Sequence, residues 1–279
     1  MMKKIENGRF VGERSLFKTD GAIIENCWFG DGESPLKESA NLRISNTEFA
    51  WKYPLWYCDE VVVSDCVFRE MARAGIWYTK NIRFENVRFE CPKAFRRCEN
   101  LALEDCEFLL GEETLWGCRG VHLRNVVENG QYFGMNAADI DADHLTIEGN
   151  YAFDGCKNLR IRHSVLHTKD AFWNCENVVV EDSEIVGEYF GWNSRDITLV
   201  RCRISSHQGF CYIKNLTLID CEVVDSDLCF EYCENIEATI LTKVDSIKNP
   251  SSGRIVCAGY DELILDDCDP SKTVIEVKK

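Results

Sequence analysis

The chain is poor in several things, and each shortage excludes something. It has only 5 prolines in 279 residues and no low-complexity stretch, so all of it is expected to be ordered. No apolar run approaches the ~20 residues needed to span a bilayer. The opening Met1-Met2-Lys3-Lys4-Ile5-Glu6-Asn7 lacks the apolar centre of a secretory leader. Phosphate loops, a GxGxxG after a strand, a GxSxG elbow and HExxH are all absent. Cysteines never fall at CxxC or CxxH spacing, so no zinc set, and no other metal or cofactor, is expected. Positive charge is scarce too. There are 32 Lys and Arg against 47 Asp and Glu, a net charge of −15, which argues against nucleic acid and anionic membranes as partners.

What the chain does have is a repeat. Asn41-Leu42-Arg43-Ile44-Ser45-Asn46-Thr47-Glu48-Phe49 returns as Asn100-Leu101-Ala102-Leu103-Glu104-Asp105-Cys106-Glu107-Phe108 and as Asn177-Val178-Val179-Val180-Glu181-Asp182-Ser183-Glu184-Ile185. With Asn41 as anchor, the equivalents run Met2, Gly21, Asn41, Glu60, Asn81, Asn100, Gly120, Asp139, Asn158, Asn177, Asp196, Asn215 and Asn235. From Gly120 to Asn215 the step is an unbroken 19. Such a period marks a solenoid.

Residues one and three after the anchor are apolar with polar residues between them, the alternation of a half-buried strand. The fifth residue after it is mostly Asn or Asp, from Asn26 and Asn46 to Asp182 and Asp220. Those types tolerate left-handed backbone, so the column reads as a turn. Two further columns are interior. One holds Cys27, Thr47, Cys66, Val87 and Cys106; the other holds Phe29, Phe49, Phe68, Phe89 and Phe108, then Ile147 and Leu166. A single coil cannot bury its apolar face alone, whereas stacked coils share one core. Nothing repeats at 3.6 residues for long enough to demand a helix.

The coils resemble those of single-stranded right-handed parallel β-helices of the pectin-lyase-like superfamily. More closely, the chain resembles a family of uncharacterised bacterial β-helix proteins of about this length. Ala171-Phe172-Trp173-Asn174-Cys175-Glu176-Asn177 and Ala94-Phe95-Arg96-Arg97-Cys98-Glu99-Asn100 carry the likeness. It implies an all-β, right-handed parallel β-helix of about thirteen 19–20-residue coils with an irregular C-terminal closure, and it implies no activity. A leucine-rich-repeat horseshoe fits Cys175-x-x-Val178-x-Val180-x-x-Ser183-x-Ile185 as well. Its repeats are longer, and the Asn/Asp turn column favours the β-helix. One domain over 1–279 is expected, with regular coils over 1–244 and the closing segment over 245–279.

Most of the 16 cysteines fall in repeat columns, among them Cys58, Cys98, Cys118, Cys156, Cys175 and Cys233. They read as reduced, buried small fillers, which points to the cytoplasm. In-register stacks do not converge as an iron–sulfur cluster requires.

Two outward-facing ladders are candidate sites. Trp56, Trp77, Trp116, Trp173 and Trp192 share the column four before the anchor, interrupted by Arg96, Met135 and Asp154. Charges there, Glu231 included, indicate that the column faces solvent, and exposed aromatic rows offer flat faces for sugar rings and indole N–H groups for hydroxyls. Cover by another segment or a second subunit is the plainer explanation of such a row. The second candidate is Asp139-Ile140-Asp141-Ala142-Asp143-His144 with Arg160, Arg162 and His163 one coil later. Stacking predicts the ladders Arg124–Asp143–Arg162–Glu181 and Asn125–His144–His163–Asp182–Arg201. Asp141, Asp143, His144 and His163 carry groups suited to acid–base chemistry, although simple cross-strand charge pairing selects the same residues. The catalytic set of polygalacturonases is not matched, Arg160-Ile161-Arg162 being only a loose echo of it. The favoured expectation is a non-catalytic module binding a saccharide or a protein on its exterior, self-association being one form of the latter. A glycan-active hydrolase or lyase built on the Asp/His cluster is the alternative.

Overall fold

Strands here are short because each coil is closed by left-handed corners. The computed structural model describes residues 2–278, and the chain winds as a right-handed parallel β-solenoid of about 14 turns, about 19 residues apart. Among the described residues the only helical turns are two 3₁₀ segments, Glu70–Ala72 and Pro270–Lys272. None is long and apolar enough to cross a membrane.

The turn column is where it was expected, with φ of 54° at Asn26, 46° at Asn46, 52° at Asn86, 49° at Asp182 and 51° at Asp220. The anchor itself is a second left-handed corner, at 53° in Asn41 and 59° in Asn215. Tyr57, Tyr78, Asn174, Asn193 and Tyr212 supply a third, with φ between 54° and 58°. Asn and Asp adopt this region more readily than other non-glycine residues, which explains their dominance in the first two columns. Their side chains also bond from coil to coil. Asn86 Nδ2 donates to Asp65 Oδ1 at 2.7 Å, and Asn100 Nδ2 to Asn81 Oδ1 at 2.9 Å.

Two compact units divide the chain, Met1–Asp141 and Ala142–Lys279. In the first, parallel pairing steps through Ala22, Leu42, Val61, Ile82, Leu101 and Val121. In its core Phe10, Phe29, Phe49, Phe68, Phe89 and Phe108 stack at 4.6–5.0 Å between centroids. That spacing is the ordinary distance between hydrogen-bonded strands; each buried ring contributes about 1.5–3 kcal/mol.

In the second unit the step runs Leu159, Val178, Ile197, Leu216, Ile236, Gly253 and Thr273. Pairing therefore continues through the segment expected to be irregular. Gly253–Cys257 lies between Glu234–Ile240 and Thr273–Val277, and Lys243–Lys248 pairs with Gly259–Ile264. The step from Ile236 to Gly253 is 17 residues and the next is 20, so the anchor pattern is lost while the ladder persists.

All 16 cysteines are free; 15 are buried and Cys268 is half-buried. Their thiols donate to nearby carbonyls, as from Cys58 Sγ to Leu36 O at 3.1 Å and from Cys175 Sγ to Phe153 O at 3.0 Å. Burial pushes the Cys58, Cys66, Cys106 and Cys175 thiols up to about 12, so they act as inert filler.

Candidate functional site

The tryptophan column is built from the residue before each third corner, so its indoles project from successive coils. In the first unit they close on one another. Trp56 and Trp77 stack at 5.2 Å with planes 6° apart. The Arg96 guanidinium then fills the next coil's place, 4.5 Å from the Trp77 ring and 4.7 Å from that of Trp116. Indole N–H groups are spent on backbone: Trp56 donates to Ala74 O at 2.5 Å, Trp77 to Lys93 O at 3.0 Å and Trp116 to Tyr132 O at 2.7 Å. Trp77 is therefore sandwiched between Trp56 and Arg96, and none of the three indoles has a spare donor, because coil spacing equals stacking distance.

The second unit differs. Trp173 donates to Tyr189 O at 2.7 Å and stands 6.0 Å from Trp192, their planes tilted by 40°. Trp192 is 36% exposed and Tyr212 42%; their rings lie 4.9 Å apart, tilted by 42°. Among the described residues, none accepts a hydrogen bond from the Trp192 indole N–H. Charge in this column does not always mean exposure. Glu231, taken as a sign of a solvent-facing column, is 7% exposed and buried against Lys248 Nζ at 2.8 Å and Gln208.

Beside Tyr212, whose ring is the one that Trp192 touches, lies an open groove of about 390 Å³, lined by Lys157, Asn174, Glu176, Asn193, Arg195 and Tyr212 among others. Its polar groups form two ladders. Asn193 Nδ2 donates to Asn174 Oδ1 and Asn174 Nδ2 to Asp154 Oδ1, both at 2.9 Å. Glu176 sits between Lys157 at 3.1 Å and Arg195 at 2.6 Å, and the hydrogen bonds from Arg195 and Lys157 hold its carboxyl below the usual range. The amide ladder ends at Asn193, because Tyr212 occupies the next coil.

The acidic and histidine candidates come from the strand Ala138–Glu148 and its stacked neighbour Lys157–Arg162 with the turn after it. Asp141 is the last residue of the first unit; Asp143, His144 and His163 belong to the second. These three converge. Asp143 Oδ1 is 2.8 Å from His163 Nδ1 and 2.9 Å from His144 Nδ1, and the two imidazoles are 5.3 Å apart. Both histidines occupy the left-handed corner, at φ 57° and 48°, where other coils place Asn or Asp.

The hydrogen bond from His163, aided by the charges of His144 and His163, holds Asp143 below the usual carboxylate range. The stacking order His144, His163, Asp182, Arg201 was expected, and Arg201 does grip Asp182 through two 2.7 Å bonds. Arg162 and Glu181 are ladder partners as expected, and Glu181 is also reached diagonally by Arg160 at 3.0 Å.

One buried group was missed. Glu128 falls in the Phe29–Phe108 column, eight after the Gly120 anchor and opposite Phe108 in the ladder. It is fully buried, and neither carboxyl oxygen has a partner. Burial, with the charge of Glu112, pushes it up to about 8. Gly111 and Gly130 make room for it, since a Cβ on either would collide with the carboxyl. A glutamate in an otherwise apolar column was the signal available.

Residues 3–278 match the family described as Protein of unknown function (DUF3737). The chain belongs to that family. No curated protein matches it in sequence. Among solved structures it is similar to PfbA, a surface adhesin of Streptococcus pneumoniae, at 10% identity over 92% of this chain and 82% of the other, with a TM-score of 0.43. A tailspike protein of E. coli bacteriophage HK620, solved with a hexasaccharide, matches at 10% identity over 92% and 68%, with a TM-score of 0.48. The catalytic domain of a GH87 α-1,3-glucanase, solved with nigerose, matches at 10% over 99% and 63%, with a TM-score of 0.38.

Proposed function

We propose that this DUF3737 protein is a non-catalytic module that binds a saccharide in the groove beside Trp192 and Tyr212. The supporting observation is that the end of an amide ladder and the exposed Tyr212 ring line one groove, with the exposed Trp192 ring packed against Tyr212 next to it. Ring faces and edges pack on the C–H faces of a sugar, while amides and paired charges address its hydroxyls. A stable protein interface buries roughly 800 Å² per partner, more than the few side chains that line this groove present.

Less in the site supports a hydrolase. Glycoside cleavage needs a carboxyl that keeps its proton near neutral pH, whereas Asp143 is held ionised by its histidines. The free, buried thiols support a reducing compartment, and we propose the cytoplasm. Recovery of a disulfide-bonded form from culture medium would contradict that placement.

The test is a glycan array on the full chain, followed by calorimetric titration of the best-bound oligosaccharide and chromatography of the recovered sugar. Trp192→Ala and Tyr212→Ala should each weaken binding about tenfold, the size of one aromatic contact. Trp116→Ala should leave affinity unchanged, and the sugar should return intact. Equal affinity in wild type and both groove variants would sink the proposal, as would cleavage that Asp143→Asn abolishes.

A further inference from the structure

We infer that Asp143, His144 and His163 form a binding site for a divalent first-row transition-metal ion of the zinc, nickel or copper class, independently of the saccharide groove. One donor atom from each residue lies within 4.8 Å of the others. Two imidazole nitrogens and one carboxylate oxygen are the donor set such ions prefer, while calcium and magnesium take oxygen cages.

The geometry differs from the rest of the corner column. Elsewhere stacked corner residues satisfy each other directly, as Asn86 does Asp65 and Asn125 does Asp105. Here His144 and His163 make no bond to each other. Both direct Nδ1 at the same Asp143 oxygen, at 2.9 and 2.8 Å. As a pair of hydrogen bonds this needs a proton on each nitrogen; a single cation would meet all three donors at once.

Access is open, since the His144 and His163 side chains are 62% and 50% exposed while Asp143, at 22%, is set back between them. Water would complete the coordination shell. The next carboxylate in the column, Asp182, is already committed to Arg201, so the protein supplies three ligands. The protein's cysteine thiols offer no rival set, because 15 of the 16 are buried and Cys268 stands half-buried with its thiol raised.

Calorimetric titration of the reduced full chain with Zn²⁺, and separately with Ni²⁺, in a non-chelating buffer tests this. Wild type should take up one equivalent. His144→Ala, His163→Ala and Asp143→Asn should each weaken it at least about tenfold, the loss that even an outer partner of a metal ligand causes. His207→Ala, a variant of a histidine paired with Asp227 elsewhere, should match wild type, and Ca²⁺ should give no heat. Each variant is checked by circular dichroism. His144 and His163 ring resonances followed by NMR should move with Zn²⁺ and no other histidine should follow them. No uptake by wild type at millimolar ion, uptake indifferent to all three substitutions, or shifts confined to other histidines would each overturn the assignment.

Discussion

Glu128 shows what one residue can do to this kind of core. It occupies a place that the sequence pattern reserves for Phe, Ile or Leu, with no partner for either oxygen. Its folded value of about 8 lies above the 4.5 of a free glutamate. Between those two pH values the folded chain holds a proton that the unfolded chain has released. Stability from this group is therefore complete below about 4.5 and is lost as pH rises towards 8, by about 1.4 kcal/mol per pH unit. Glu128→Gln should remove that slope. Urea unfolding at pH 5.5 and 8.5 should show the variant gaining roughly 3 kcal/mol on wild type over the interval, and parallel profiles would refute the buried-acid account. The residue was legible as a break in an apolar column; its burial was not, because a charged residue in a strand is ordinarily read as outward-facing.

At the scale of the coil, the same spacing that makes the fold also determines which aromatic side chains remain available. Trp77, Arg96 and Trp116 form one continuous stack in the first unit, and Arg96 also reaches Glu113 at 3.3 Å. Arg96→Ala would open a gap between two indoles and should cost about 1–3 kcal/mol in urea unfolding, from lost cation–π contact and lost packing. Arg96→Lys should recover less than half, because an ammonium lacks the planar surface that lies between the rings. Full recovery by lysine would mean that charge alone matters there. The five-tryptophan column was visible in the sequence, but its division into covered and exposed members was not. That depends on ring tilt and on which carbonyl sits opposite each indole N–H. Likewise the Asp143–His144–His163 cluster escapes any search for closely spaced ligands, since its donors are separated by 1 and 19 residues along the chain and meet only through stacking.

Across the whole molecule, the fold was the most legible property. A constant step, alternating apolar residues and Asn or Asp at a left-handed corner are all local signals, and they agree with one another in nearly every coil. Function is less legible for the opposite reason: a repeat tends to make its coils alike, and a site arises where they differ. Trp192 and Tyr212 are such a place, where stacking loosens and the amide ladder stops. The most direct test of the binding account is a two-dimensional ¹⁵N–¹H spectrum of the indole N–H groups, recorded while the best-bound oligosaccharide from the array is added. The account predicts that the Trp192 indole signal moves with saturation, while those of Trp56, Trp77 and Trp116, each bonded to a backbone carbonyl, stay in place. A stationary Trp192 signal at saturating sugar, or movement centred on Trp56, Trp77 or Trp116, would contradict it.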